Sequence, residues 1–314
     1  MLDAHQLNVF LTAAESLNFT QAAQRLHMSQ PSVSQHIQAL ERHFNTSLFV
    51  RTSRNLQLTD AGMALVPLAR EMVSQSTLIE ETMASLDGAV YGHLMVGCST
   101  TPGKYILPGL LANFHRQFPE VKVTCQVSPQ ATAVERLNDG LVHFALTSFS
   151  PEFYKDIEFR KFMTDPVILI APADHPWALS GEISTEELLD ADFILREPES
   201  GTFRAVQETL VHIGVDINDF HTLLTLGNSE AIALSVQEGL GVGFVSRIVV
   251  TKLKPGHVKE IKVRGLEINR EIQIGHNPSR QPTTAQEAFW EFIMSMEYSL
   301  EDLLPGNNFE LEPA

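Results

Sequence analysis

Between Thr20 and Gln38 the chain gathers neutral hydrogen-bonding side chains of the kind that read nucleic acid. Ser29, Gln30, Ser32, Ser34, Gln35 and Gln38 supply hydroxyls and amides, with Pro31 among them. Glutamine can pair bidentately with adenine in the major groove, and hydroxyls suit phosphates as well as base edges. Two further stretches have a different chemistry. Ser99, Thr100 and Thr101 stand ahead of Pro102 and Gly103, and the run from Glu197 to Thr202 contains Ser200, Gly201 and Thr202. Hydroxyls beside the unpaired N–H groups of a helix start form a cradle for an anion. Ser148, after the run HFALTS, is a further wall. Lys104 and Arg196 would add positive charge, although Arg196 could equally pair with Glu197 or Glu199. Plain helix capping by these Ser and Thr residues is the alternative. Pro102 removes one N–H that an oxyanion could use.

The elements that must position these residues are legible from periodicity. Ala22, Ala23 and Leu26 make one short apolar face, and Val33, Ile37 and Leu40 make another. Ser29 before Pro31 is an N-cap followed by a proline where its missing N–H is harmless, so a second helix starts near Pro31. The small alanines allow close, steep crossing, which predicts a helix-turn-helix; an ordinary helical hairpin with a polar face is the competing reading. Leu7, Phe10, Leu11, Ala14 and Leu17 form a stripe that would close the open side. Leu48 to Leu58 alternates around a basic tip, a two-stranded wing whose Arg51 and Arg54 reach phosphate or minor groove, or stand as solvated turn charges. Thr59 and Asp60 then open a helix of about 26 residues, roughly 39 Å long. It carries Leu65, Leu68, Met72, Ile79, Met83 and Leu86, with Pro67 near its start. From His93 onward strands alternate with helices. LMVGCS, VKVTCQV, HFALTS and VILIAP read as buried strands, and DFILRE, HTLLTL and VGFVS form a second set. Helices are expected at 106–117, 131–139, 203–212 and 229–237. The alternation predicts α/β architecture with a parallel sheet, which binds ligands beyond the carboxyl ends of its strands.

Composition narrows the function. The 314 residues are 44% hydrophobic and 19% charged, as in a globular protein with room for two or three domains. Neither a secretion signal nor an apolar run of membrane-spanning length is present, so the cytoplasm is expected. Cys98 and Cys125 lie in strand-like runs and read as buried thiols in preference to a redox switch; no metal-ligand cluster appears. The net charge of −16 is uneven. Up to Asp60 the acids Asp3, Glu15, Glu41 and Asp60 cancel Arg25, Arg42, Arg51 and Arg54, so the acidic excess lies wholly in the remainder. A neutral head on an acidic body suits local DNA docking, or the acidity serves solubility alone. HExxH, GxSxG and phosphate-loop spacings are absent, and GLGVGF precedes a strand instead of following one, which leaves no catalytic residue or cofactor to assign. A secreted solute-binding protein would share the α/β half but have no use for the head.

The string LNVFLTAAESLNFTQAAQRLHMSQPSVSQHIQALE, followed by SLFVRTSRNLQLTDAG, resembles the LysR-type transcriptional regulators, and the remainder resembles their effector-binding half more loosely. The resemblance implies a winged helix-turn-helix at 1–59, a linker helix at 60–90 that pairs with its counterpart in a second subunit, and an effector-binding domain at 91–297. Two subdomains similar to periplasmic solute-binding proteins are implied, the first about 91–162 with 266–297 and the second about 163–265, joined by crossing strands near Lys161 and Gly265, with EINREIQIGH as the return strand and 282–296 as the closing helix of the first. The acidic tail at 298–314 reads as poorly ordered. Implied DNA-facing residues are Thr20, Ser29, Gln30, Pro31, Ser32, Ser34, Gln35, Gln38, Arg51 and Arg54. Implied effector contacts are Ser99, Thr100, Thr101, Ser148 and Thr202. Implied partners are an inverted-repeat site in double-stranded DNA, a small anionic metabolite, a homodimer or homotetramer, and RNA polymerase, with no membrane partner.

Overall fold

The computed structural model describes residues 1–51, 56–148 and 154–295, with the Arg51 side chain, Arg54 and the acidic tail outside the described residues. It divides into two compact units, Met1–Tyr91 with Pro282–Thr284, and Gly92–Gln281 with the residues from Ala285.

The first unit contains α1 (Ala4–Ser16), α2 (Phe19–Arg25), α3 (Gln30–Phe44), the antiparallel pair β1 (Phe49–Arg51) and β2 (Leu56–Leu58), and α4 (Asp60–Ala84). Each helix starts on a side chain that takes up an otherwise unpaired N–H: Asp3, Asn18, Ser29 and Thr59 accept from His5, from Thr20 and Gln21, from Ser32 and from Gly62. Leu7, Phe10, Ala22, Ala23, Val33, Ile37, Leu40 and Phe49 are buried in one core. Fully burying each of the larger apolar side chains contributes about 1.5–3 kcal/mol. Glu41 fixes the wing's entry, its Oε1 accepting from the Leu48 N–H at 2.8 Å. The long helix runs continuously through Pro67. Its Leu65, Val66, Ala69 and Val73 pack on the same core. Leu68, Met72, Ile79, Met83 and Leu86 remain exposed. The expected stripe therefore splits: Leu65 faces its own head, and the rest lies outward.

The second unit is built on β3 (Gly92–Cys98), α5 (Leu107–Gln117), β4 (Val121–Val127), α6 (Gln130–Asn138), β5 (Phe144–Thr147), β6 (Glu158–Pro172), α7 (Pro176–Ser180), β7 (Glu182–Ile183), β8 (Asp192–Arg196), α8 (Gly201–His212), β9 (His221–Leu226), α9 (Ser229–Gln237), β10 (Val242–Ser246), α10 (Arg247–Leu253), β11 (Val258–Val263), β12 (Ile268–His276) and α11 (Thr284–Met294). Its main sheet runs β4-β3-β5-β12-β6-β10-β8-β9. The strands at each end of that order are parallel within their own block, but β6 and β12 are antiparallel to each other and to their outer neighbours. Two parallel blocks are thus joined by two crossing strands, which the alternation of strands and helices does not reveal. VILIAP is the second half of the fifteen-residue β6. Lys161 lies inside that strand, and Gly265 takes φ +73° in the turn before β12.

VKVTCQV, read as a buried strand, and HTLLTL of the second set prove to be sheet edges. Val127 and Cys125 of β4 are exposed, as are Leu223 and Leu224 of β9. Cys98 is buried as expected; Cys125 is not, and their sulfurs are 3.4 Å apart. That contact, then burial, raises the Cys98 thiol's pKa well above the usual range, while the same hydrogen bond lowers that of Cys125. The helix expected from Ile106 begins earlier, because a π-turn at Pro102–Ile106 feeds straight into α5. Gly103 permits this close start: a Cβ there would lie 2.6 Å from the Val127 side chain and 2.7 Å from the Cys98 sulfur.

Candidate DNA interface and ligand cleft

In the first unit the apolar positions of α3 turn Val33, Ile37 and Leu40 inward, which forces the intervening residues outward. Thr20, Ser29, Gln30, Pro31, Gln35 and Gln38 are exposed, whereas Ser32 and Ser34 are half-buried. The Ser29 hydroxyl is occupied as the cap, accepting from the Ser32 N–H at 3.2 Å. These residues form a polar, mostly uncharged helix surface able to exchange amide and hydroxyl hydrogen bonds with base edges.

In the second unit a cavity of about 270 Å³ is lined by Ser99, Thr100, Thr101, Ser128, Pro129, Gln130, Ser148, Arg196, Glu197, Glu199, Ser200, Gly201 and Arg270. Three helix starts meet there: the π-turn after Thr101, α6 after Pro129 and α8 after Ser200. The start of α6 has no side-chain cap, so its first N–H groups add partial positive charge beside the cavity. Gln130 spans the two walls: its Nε2 donates to the Glu199 carbonyl at 2.8 Å, and its Oε1 accepts from the Ser148 hydroxyl at 3.3 Å. A Cβ on Gly201 would fall 1.6 Å from the Ser148 Oγ, so only glycine lets α8 begin this close.

Of the expected effector contacts, Ser99, Thr100, Thr101 and Ser148 line the cavity. Thr202 does not. It is buried beneath the wall, where its Oγ1 accepts from Arg270 Nη1 at 2.9 Å; Ser200 and Gly201 take its place. Arg196 both lines the cavity and pairs with Glu197, through Nε at 2.8 Å and Nη2 at 2.7 Å. Lys104 is engaged elsewhere: with Tyr105 it donates to Glu230 at the start of α9. Burial opposes charge on Glu230, but hydrogen bonds from Lys104 and Tyr105 outweigh it and hold its carboxyl below the usual range. Burial first, and then the bond to Glu230, pushes the Tyr105 phenol up.

Ser128, Gln130 and Arg270 were not anticipated. The first two follow a strand and open a helix, so the rule that identified Ser99 also applies to them. Arg270 sits between Ile268 and Ile272 on the inward face of β12, and a charge at such a position signals a built polar site. Its Nε donates to Asp165 Oδ2 at 2.7 Å, and Ser246 Oγ donates to Asp165 Oδ1 at 2.7 Å. Asp165 and Arg270 are register partners on the two crossing strands, so one buried ion pair ties both crossings to the cavity wall.

A winged helix-turn-helix joined through a long helix to a two-lobed α/β unit with an anion-suited cleft is the architecture of a ligand-responsive DNA-binding regulator. Residues 4–63 match the bacterial regulatory helix-turn-helix protein, lysR family, and residues 88–296 match the LysR substrate binding domain. The chain belongs to the LysR-type transcriptional regulators. It is 32% identical to a "Probable RuBisCO transcriptional regulator" of Emiliania huxleyi, over 93% of this chain and 94% of that protein. The full-length CbnR structure in complex with target DNA shares the fold, with TM-score 0.66 and 22% identity over 94% of this chain and 99% of that one. The Synechocystis CcmR regulatory domain in complex with 2-PG has TM-score 0.58 and 27% identity over 65% of this chain and 96% of that one. Among the described residues no helix is long and apolar enough to cross a membrane.

Proposed function

We propose that this regulator reads an inverted-repeat site in double-stranded DNA with α3 and the wing, and that a small hydroxylated anion in the cleft switches it. The cleft carries the second part: six hydroxyl residues, three helix starts and two arginines converge on one 270 Å³ cavity. That the CcmR domain is described with 2-PG, an anionic metabolite, supports the same ligand class. The head is assigned to 1–59, the linker to 60–90, the effector domain to 91–297 and the tail to 298–314. Exposed Leu68, Met72, Ile79 and Met83 on α4, with Leu86 just beyond its end, support pairing with a second copy, as a dimer or a tetramer, since two heads must meet two half-sites. The place of action is the cytoplasm, contact with RNA polymerase is the downstream step, and the activity is regulatory and not enzymatic.

Direct readout by Gln35 is tested by fluorescence anisotropy on the DNA upstream of the protein's own gene, with each half-site position varied. Gln35→Ala should weaken binding and flatten a preference for adenine at one position, by about 1–3 kcal/mol of discrimination. Uniform weakening across all sequences would assign Gln35 to the backbone instead.

A further inference from the structure

The two arginines of the cleft have counter-ions of different kinds. Asp165, which holds Arg270, has a side chain 0% exposed, and it also accepts from Ser246. An anion entering the cleft cannot displace it, because a buried carboxylate has no route to water without opening the junction of β6 and β12. Glu197, which holds Arg196, has a side chain 33% exposed and itself lines the cavity. A change of its rotamers returns that carboxylate to solvent. The guanidinium would stay in place: Arg196 is only 6% exposed at its side chain, with Nη1 donating to Ser229 Oγ and Nη2 also to the Gly227 carbonyl, each at 3.2 Å.

We propose that Glu197 is a built-in competitor for the effector's anionic group: its carboxylate occupies the Nε and Nη2 donors of Arg196, and an entering carboxylate or phosphate takes over that bidentate position. This rests on the reading of the cleft as an anion site. The match is chemical, since a planar guanidinium fork offers the same two parallel N–H donors to Glu197 as to any bidentate oxyanion. The exchange swaps one negative group for another on Arg196, so the buried cation is never left without an acceptor. It also makes Glu197 a specificity determinant. A neutral ligand cannot replace the charge that leaves, and a ligand with a single weak acceptor cannot hold the fork.

Isothermal titration calorimetry on the full-length protein tests this with 2-PG, shikimate and inorganic phosphate as probes. Glu197→Gln should bind at least one probe about tenfold more tightly or better, equivalent to about 1.4 kcal/mol. Glu199→Gln removes the same charge from the same cavity wall without touching Arg196, and it should change affinity by less than about threefold. Equal tightening by the two variants would reduce the effect to general electrostatics and overturn the proposal. Unchanged or weaker binding by Glu197→Gln, with wild type still binding, would also overturn it while leaving the anion reading intact. Absence of binding by all three probes to wild type and to Glu197→Gln would overturn both together. If Glu197→Gln folds poorly, Glu197→Ala makes the same comparison.

Discussion

Replacing Arg270 by methionine should destabilise the second unit by about 3–5 kcal/mol, because it removes one partner of a buried ion pair and leaves the other charged. The side chains are 5% and 0% exposed, and the guanidinium contacts Asp165 through Nε at 2.7 Å and Nη2 at 2.6 Å. After the substitution Asp165 keeps the Ser246 hydroxyl, but a single neutral donor does not compensate a buried carboxylate. Thr202 loses its donor as well. Methionine retains most of the stem's volume, so the cavity contribution is small and the effect is electrostatic. The double variant Asp165→Asn with Arg270→Met removes the charge and should recover about 2 kcal/mol or more relative to Arg270→Met, giving a coupling of that size in a double-mutant cycle. Urea unfolding followed by fluorescence measures this. Trp177 is buried in the second subdomain's core and Trp290 packs in α11 against His276, so the two report on different lobes. A loss below about 1 kcal/mol for Arg270→Met, or no recovery in the double variant, would refute the buried-charge reasoning.

Two further outcomes are expected. Burial, with the charges of His93 and Arg280 adding to it, lowers His143 from 6.5 to about 4, and its Nδ1 accepts from the Met95 N–H at 3.2 Å. The unfolded chain therefore takes up this proton first, so thermal stability should fall as pH drops from about 6.5 to about 4, by on the order of 3 kcal/mol, then level off below; His143→Gln should flatten that window. Ile79→Glu with Met83→Glu alters side chains that are 63% and 61% exposed, so helicity should persist while light scattering shows the dimer lost; a surviving dimer would remove the assigned role of α4.

The helix-turn-helix was legible because its determinants are local. Val33, Ile37 and Leu40 recur on one face, and Ser29 and Pro31 mark where the next helix begins, whatever the rest of the chain does. The sheet was legible only in part. Strand runs were located, but periodicity carries no information about neighbours, so the crossings were supplied by family resemblance alone and the antiparallel course of β6 and β12 by the structure. The first half of β6, EFRKFMTD, mixes charged and apolar residues, which concealed it as a strand. VKVTCQV and HTLLTL look like central strands, yet lie at the two ends of the order, where among the described residues each pairs with a strand on one side only. At the cleft, Ser99, Thr100, Thr101 and Ser148 at the ends of strands were read from the sequence, while Ser128 and Gln130 after β4 and Arg270 inside β12 were missed. Arg270 needed the inward face of β12 to be known first, and Thr202 was misplaced because one step along α8 separates the cavity wall from the layer beneath it.

The distribution of charge gives these observations a common logic. The chain carries −16, all of it beyond residue 60, yet the cleft proposed to take an anion lies in that acidic part. An anion approaching that body meets a repulsive field that is screened within about 8–10 Å at physiological salt, so attraction must come from groups inside the cleft and not from the surface. Two unpaired buried arginines would serve, but at a cost in desolvation that the fold would not sustain. Pairing each with a carboxylate offsets much of that cost and leaves no net positive charge at the cavity, where helix starts, hydroxyls and Gln130 supply directional donors. Selectivity then depends on geometry more than on charge. An anion that satisfies the Arg196 fork while its hydroxyls meet both walls gains contacts across the cleft, and only such differential contacts can shift the lobes between arrangements.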